Sequence, residues 1–404
     1  MAESLVIVGA GQAAAQLVAS LRTEGYAGAI TIVGDEPYIP YQRPPLSKAF
    51  LAGELARERL FIKPEEFYPD AKCDLRLNTR ATAIDRTRRV VKLEGGHELP
   101  YTTLALTTGS RVRKLPLPGA DLPGCYYLRG IADVEQLQDK LKPGNRVVII
   151  GAGYIGLEVA AVAAKHKLKV TVLEALPRVM ARATCPELSA FYQDVHTKAG
   201  VDIRLNTKLE AIEKNGAALS VKTSGGAVDA DFVLIGIGIV PNVELAAEAG
   251  LKVDNGIVVD NHAQTEDLAI YAIGDCANLP CSYAPTGRVR LESVQNAIDQ
   301  AKHAAAAICG KPKPYNEVPW FWSDQYDLKL QIAGLSTPDD QIVLRGDPAS
   351  RSFAAFHLRA GVIVAVEAVS AAPEYMMGRR LIAARAKVAP ERLADKAVPM
   401  KDMV

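Results

Sequence analysis

Leu5-Val6-Ile7-Val8-Gly9-Ala10-Gly11-Gln12-Ala13-Ala14 is the stretch that decides the fold. Its first four residues are a continuous apolar run, the pattern of a parallel strand buried on both faces. Glycines then halt the strand, and an Ala-rich helical stretch continues to about Leu21. A second strand, Ala29-Ile30-Thr31-Ile32-Val33, ends at Gly34-Asp35. Strand, glycine turn, helix, strand and acid within about thirty residues are the parts of a dinucleotide-binding unit. In such a unit Gly9 allows the tight turn, Gly11 lets a pyrophosphate approach the backbone, and Ala14 permits close helix–strand packing. The helix that starts there offers unpaired N–H groups and a positive dipole end to phosphates. Asp35 is placed to accept hydrogen bonds from an adenosine ribose.

The pattern recurs. Val147-Val148-Ile149-Ile150 runs into Gly151-Ala152-Gly153-Tyr154-Ile155-Gly156, a helix follows through Ala164, and the strand Val170-Thr171-Val172-Leu173 ends at Glu174. One glycine motif alone is a weak signal, but two complete units, each with an acid at the tip of its second strand, are a strong one. Glu174 sits where a ribose 2′-hydroxyl would donate to it, and a hydrogen bond to a charged group contributes roughly 1.5–3 kcal/mol. A 2′-phosphate would meet like charge there, and no arginine directly follows. The expected preference for NADH over NADPH is about 10²-fold; Arg178 and Arg182 lie nearby and count against it. The plainer reading of Glu174 is a solvated strand cap, and that of the first copy is a nucleotide fold that binds nothing.

Three further strands run into glycine: Leu104 to Thr108-Gly109, Phe232 to Gly236 with Gly238 beyond it, and Ile270 to Gly274-Asp275. From about Pro312 the texture changes. Trp320-Phe321-Trp322, alternating strands at Phe353–Phe356 and Gly361–Val366, and a charged helical tail over about Glu374 to Ala394 read as an α+β domain. The expected fold is therefore α/β, with two Rossmann-like domains and a C-terminal α+β domain. The boundaries are drawn at 1–112 with 242–316, at 113–241, and at 317–404.

Composition narrows the function. With 404 residues, 49% hydrophobic and 23% charged, the chain is an ordinary globular protein of two to three domains and not a disordered one. Forty-seven basic against forty-six acidic residues leave a net charge of +1, which excludes a chain that binds nucleic acid through its overall charge. No apolar run approaches the roughly 20 residues that span a bilayer. The N-terminus enters a strand directly with no signal-peptide pattern, and six scattered cysteines without a CxxC pair read as reduced thiols, so the expected location is the cytoplasm. No metal site is expected.

Two dinucleotide units on one chain, with a return to the first at Gly274-Asp275, give a layout that resembles the two-dinucleotide flavoprotein oxidoreductases, of glutathione-reductase-like architecture. The resemblance implies that Asp275 meets the ribityl chain of FAD. Disulfide reductases of that superfamily carry a redox-active cysteine pair, yet the segment from Pro37 to Lys48 has no cysteine. Cys276 and Cys281 are expected to pack. The string Arg43-Pro44-Pro45-Leu46-Ser47-Lys48 closely resembles the FAD-dependent ferredoxin reductases of bacterial oxygenase systems, the putidaredoxin reductase group. GAGYIGLEVAA at 151–161, ATAIDR at 81–86, YAIGDCA at 271–277, ESVQNAIDQA at 292–301 and VPWFWSDQY at 318–326 match as well. One departure is Thr107-Thr108-Gly109, where relatives usually carry Ala-Thr-Gly.

The resemblance implies roles. Ala13, Asp35, Lys48, Ala81, Asp275 and Val294 match FAD-contact positions, with Arg43, Pro44, Thr108, Gly109 and Trp322 near the cofactor. Gly151, Gly153, Tyr154, Ile155, Gly156, Glu174, Gly236 and Gly238 fall to NAD. Lys48 is expected by the isoalloxazine, paired with Glu158. Tyr154 is expected either to cover the flavin face or to pack at the helix start. The helix beginning at Glu292-Ser293 is expected to run through Ala301 and to stabilise negative charge on the reduced ring. The aromatic cluster at 320–322 reads first as core; the alternative sets one tryptophan between flavin and an iron–sulfur protein. Arg379, Arg380, Arg385, Lys387 and Arg392 are a solvated face or part of a docking surface for an acidic two-iron ferredoxin. The implied activity is NADH-dependent reduction of such a ferredoxin by a monomer that feeds a cytochrome monooxygenase or ring-hydroxylating dioxygenase. Other readings are an NADH oxidase, a rubredoxin reductase, or a flavoprotein resembling apoptosis-inducing factor with a binding role.

Overall fold

The computed structural model describes residues 3–403. The chain divides into two compact units, the first made of Met1–Gln42, Glu58–Arg111 and Val240–Phe321, the second of Arg43–Arg57, Val112–Ile239 and Trp322–Val404.

In the first unit, β1 (Ser4–Val8) leads through α1 (Gln12–Glu24) to β2 (Ala29–Val33), parallel to β1. Strands Thr103–Leu106 and Ile270–Ala272 lie on the other side of β1, and Cys73–Arg76 lies beyond β2, which completes a five-stranded parallel sheet. The apolar run of β1 has no polar alternation because both its faces are covered. Leu5 and Ile7 pack into a core with Leu17 and Leu21 of α1 and with Ala301 and Ala304 of the helix Val294–Ile308. Val6 and Val8 face the opposite core, with Val91 and Leu93 from a small antiparallel sheet. Burying each such side chain contributes about 1.5–3 kcal/mol. The alanines of α1 and of Val294–Ile308 keep the two helices close. Gly25, at φ 93°, closes α1 in the left-handed conformation, its N–H donating to the carbonyls of Leu21 and Arg22. With β2 on one side of β1 and Thr103–Leu106 on the other, the chain reverses its winding at β1. Open α/β sheets bind ligands at the carboxyl ends of strands flanking such a point.

The second unit repeats this plan. β3 (Arg146–Ile150), α2 (Tyr154–Lys165) and β4 (Lys169–Leu173) form its central crossover, in a parallel sheet completed by Asp202–Arg204, Phe232–Ile235 and Cys125–Tyr126. The helix α3 (Pro186–Lys198) starts with proline in its first turn, where no N–H is needed. A C-terminal antiparallel sheet orders its five strands as Trp320–Gln325, Leu328–Gly334, Val362–Val369, Phe353–Arg359, Gln341–Arg345, with α4 (Ala372–Ala383) against it. The α/β class with an α+β C-terminal part is the fold the sequence predicts.

Three local expectations are corrected. The charged tail is not one helix: α4 stops at Ala383, Arg385 takes a left-handed φ of 50°, and a separate short helix starts at Pro390. A left-handed non-glycine residue ends a helix, and proline lacks the N–H that would continue one. The helix that begins after Ser293 is longer than expected and ends at Ile308. Trp320, Phe321 and Trp322 are not buried core; all three are half-buried.

Candidate functional site: two glycine cradles and a buried carboxylate

The two glycine turns are held by matching hydrogen bonds. Gly9 N donates to Val33 O at 2.8 Å, and Gly151 N to Leu173 O at 2.8 Å. Gly34 N donates to Arg76 O and Glu174 N to Arg204 O, each at 2.9 Å. The structural counterpart of Glu174 is therefore Gly34, not Asp35, which lies one residue further on and is exposed. The two acids are not in register. At position 34 a Cβ would lie 2.5 Å from Ala10 Cβ, so a side chain is excluded there.

The glycines divide into two kinds. A Cβ on Gly9 would meet Thr107 O at 2.3 Å, one on Gly151 would meet Gly236 O at 2.4 Å, and one on Gly156 would meet Gly151 O at 2.1 Å. The protein itself requires these three. A Cβ on Gly11 or Gly153 would have nothing within 4 Å, so no protein atom requires glycine there. Both are the residues before α1 and α2, and neither helix start has a side-chain cap. Open space in front of uncapped N–H groups is a cradle that fits a pyrophosphate. Ala14 is fully buried where the second copy needs Gly156, so the first copy tolerates a methyl that the second does not.

Around the first cradle the structure gathers most of the residues expected there. Gly274, at φ 85°, would bring a Cβ to 3.6 Å from both Ala13 and Ala297, so it sits between the two helices. Asp275 Oδ2 accepts from Ser110 Oγ at 2.7 Å. Thr108 and Gly109 are clamped by Asn242: Thr108 Oγ1 donates to Asn242 O at 2.7 Å, and Asn242 Nδ2 to Thr108 O at 2.8 Å. The Thr107 hydroxyl, the departure from the usual alanine, donates to Gly9 O at 2.9 Å and braces the turn. Val294 is the first residue of its helix, behind Ser293, whose Oγ accepts from Asn296 N. Ala81 is buried in the antiparallel sheet on the other core.

In the second unit, Glu174 is tied to its own glycine turn: Oε2 accepts from Ala152 N at 2.8 Å and Oε1 from Leu176 N at 2.9 Å. Its remaining lone pairs are available to ribose hydroxyls. Arg178 is committed to the loop, donating to Thr184 O and Ser189 Oγ at 2.6 Å and to Ala181 O at 2.9 Å, while Arg182 is exposed. Ile155, beside the cradle, is an exposed apolar residue. Gly236 and Gly238 follow the strand Phe232–Ile235. The Tyr154 hydroxyl donates to Ala183 O at 3.3 Å, and burial, followed by the nearby Glu367 carboxylate, keeps that phenol well above the ordinary tyrosine range.

Arg43 Nη1 donates to Arg129 O at 2.7 Å, and the tight turn Pro44–Ser47 follows. The turn delivers two donors to Glu158 on α2, with Ser47 Oγ at 2.5 Å and Lys48 Nζ at 2.7 Å from Oε2. Ser323 Oγ reaches the other oxygen, Oε1, at 2.6 Å. Lys48 thus has the partner expected for it. Ser47 and Ser323 are site residues the sequence reading did not single out, although both lie inside motifs it quoted. A hydroxyl beside a lysine carries no signal until the chain folds.

His196, fully buried on α3, carries no signal in the sequence either. Burial pushes its imidazole down to about 4. The unfolded chain, with histidine near 6.5, binds a proton that the native state refuses, so stability falls as pH drops from about 6.5 to about 4. The loss amounts to about 3 kcal/mol at the low end. Urea unfolding across that range should show the slope, and His196→Gln should flatten it. Equal slopes in the two proteins would exclude His196 as the cause.

All six cysteines are unpaired thiols, and burial raises every one of them; Cys73 is pushed up to about 12 and Cys125 to about 11. None is a ready thiolate. Cys276 and Cys281 are buried, as expected of packing residues. No helix among the described residues is long and apolar enough to cross a membrane.

Two glycine turns of this kind on one chain fit two pyrophosphates, and the family model that matches them makes the chain an oxidoreductase of the α/β class. The chain belongs to the pyridine nucleotide-disulphide oxidoreductase family, whose model matches residues 3–301, and residues 320–404 match the reductase C-terminal family. Rhodocoxin reductase of Rhodococcus erythropolis is 46% identical over 400 residues, covering 98% of this chain and 93% of the relative. The ferredoxin reductase for the CYP199A2 system of Rhodopseudomonas palustris is 42% identical, with a TM-score of 0.95 and 99% of each chain covered. The covalent putidaredoxin reductase–putidaredoxin complex matches at 42% identity and a TM-score of 0.96, over 99% of this chain and 98% of that one.

Proposed function

We propose that the protein is an NADH-dependent ferredoxin reductase that holds FAD in its first unit and receives NADH in its second. The observation that carries this reading is the join of two glycine cradles to a reductase C-terminal part on one chain, in the manner of full-length relatives that reduce rhodocoxin or putidaredoxin. A bound flavin accepts a hydride from a dihydronicotinamide and hands on electrons singly, which is what a two-iron, two-sulfur acceptor needs.

The chain supplies binding and charge. In this reading the N–H groups at the starts of α1 and α2 hold the two pyrophosphates. Asp35 and Glu174 accept from the adenosine riboses, and Asp275, oriented by Ser110, accepts from the ribityl chain. Val294 brings a positive helix end to the flavin. Lys48, steadied by Glu158, serves the flavin ring, with Arg43, Pro44 and Trp322 assigned to the same cofactor. Arg380 is exposed on α4, Met376 is exposed one turn before it, and Arg379 lies over the Tyr375 ring at 5.9 Å; this face is assigned to an acidic ferredoxin. Six unpaired thiols agree with a reducing cytoplasm, and the reading includes a monomer that feeds a cytochrome monooxygenase or a ring-hydroxylating dioxygenase.

The test is NADH-dependent reduction of a panel of two-iron ferredoxins, with a ferredoxin-free control and with Asp275→Ala alongside. The expected result is a yellow protein that reduces at least one ferredoxin far faster than it consumes oxygen, and an Asp275 variant that purifies with little flavin. Oxygen consumption that equals the ferredoxin rate would make the protein an oxidase, and full flavin retention by Asp275→Ala would remove that residue from the site.

A further inference from the structure

Glu158 does not end the polar network that begins at Lys48. Ser323 Oγ, 2.6 Å from Glu158 Oε1, is itself 3.2 Å from Gln325 Nε2. Gln325 Oε1 is 2.8 Å from His196 Nε2, and His196 Nδ1 is 3.1 Å from the Tyr326 hydroxyl. Ser323, Gln325 and His196 have no measurable exposure, whereas Tyr326 reaches the surface.

Elementary donor and acceptor rules fix every direction in this series. The carboxylate opposite the Lys48 ammonium only accepts, so the Ser323 hydroxyl donates to it. The serine oxygen then accepts from the amide nitrogen of Gln325, which turns the amide oxygen to His196. That oxygen only accepts, so the imidazole proton lies on Nε2. Nδ1 is left bare and accepts from Tyr326. Burial holds His196 neutral down to about 4 and the Tyr326 phenol is pushed up to about 12, so both keep these roles around neutral pH. Four donors therefore point one way, from the surface to the carboxylate. Alternation in the strand Trp320–Gln325 places Ser323 and Gln325 on its buried side, where apolar residues would be ordinary.

We propose that Tyr326, His196, Gln325 and Ser323 are positioning residues, a single polarised chain that holds Glu158 Oε1 so that Oε2 fixes Lys48 for flavin reduction. The proposal rests on the role assigned to Lys48 toward the flavin. It extends that role to α3 and to the C-terminal strand, neither of which needs to touch the reacting atoms. Cooperative polarisation along such a chain strengthens its last bond.

The experiment has two arms. In holoenzyme labelled with [15N]histidine, long-range proton–nitrogen couplings should show His196 protonated on Nε2 and bare on Nδ1 at neutral pH; the opposite tautomer would overturn the proposal. In stopped-flow reduction by NADH, Ser323→Ala should lower the limiting rate about tenfold with the NADH dissociation constant unchanged, the loss of one hydrogen bond to a charged group. His196→Phe, at the other side of Gln325, should lower it three- to tenfold. His196→Gln, whose amide can donate to Gln325, should restore it. Lys48→Met is the reference. If it slows reduction while Ser323→Ala and His196→Phe do not, the chain merely packs and the proposal fails with the role of Lys48 intact. If Lys48→Met leaves the rate unchanged, that role falls, and the proposal with it. Should Ser323→Ala not fold, the two His196 variants and the tautomer decide.

Discussion

Glu174→Arg should lower kcat/KM for NADH by about 10²-fold and swing the ratio of NADH to NADPH use by about 10³-fold. Two effects act together. The substitution removes an acceptor for the ribose hydroxyls and places a cation where a 2′-phosphate would lie. It also releases Ala152 N and Leu176 N, both of which donate to Glu174, and so loosens the turn that shapes the cradle. Arg178 does not fill the gap in the native protein, because its guanidinium is spent on the carbonyls of Thr184 and Ala181 and on Ser189. Glu174→Gln separates the two effects: it keeps an acceptor for one backbone N–H while removing the charge. Steady-state kinetics with both nucleotides give the answer, and an unaltered ratio in the arginine variant would show that Glu174 lies outside the nucleotide site.

Glu367→Ala should destabilise the protein by about 1–3 kcal/mol, the cost of leaving a buried donor without its acceptor. Glu367 is 1% exposed, on a strand of the C-terminal sheet. Both of its oxygens accept from Cys185 N, at 3.1 and 3.0 Å, which closes the start of α3. His357 Nε2 stands 2.9 Å from Oε1 but out of line for a directed hydrogen bond. Alanine leaves a buried N–H without its acceptor and an imidazole without its carboxylate. Glu367→Gln should cost less than alanine, because an amide oxygen still accepts from Cys185. Urea unfolding of the three proteins measures the effect, and a loss below 1 kcal/mol in the alanine variant would mean that solvent or a neighbour takes over these bonds. The carboxylate also explains part of the raised Cys185 thiol: burial is the larger cause, and the charge of Glu367 adds to it.

The crossover units were legible because the signals that define them are local. An apolar run, a glycine turn and an Ala-rich helix need only each other, so β1, α1 and β2 appear where the sequence put them, as do β3, α2 and β4. The register of the two acids was not legible. Asp35 and Glu174 look equivalent as letters, yet the backbone hydrogen bonds pair Glu174 with Gly34, and a pairing set by neighbouring strands is not written in the letters. The break in the charged helical tail was not legible either, because a run of charged residues carries no mark of the left-handed turn at Arg385. The aromatic run at 320–322 reads as core by residue type, whereas the buried positions of that strand are Ser323 and Gln325.

The sequence alone determined the class of fold, the two cradles and the Lys48–Glu158 partnership, the last through likeness to a family and not through spacing. Short-range sterics carry most of that information: a glycine that must turn and an apolar run that must be covered act within a few residues. Tertiary structure alone decided what surrounds the Glu158 carboxylate. Ser47, Ser323, Gln325 and His196 lie up to 278 positions apart in sequence, from Ser47 to Gln325, and each is unremarkable as a letter. They become one network only after burial removes water, since a hydroxyl, an amide or an imidazole with no solvent must find its partner in another part of the chain.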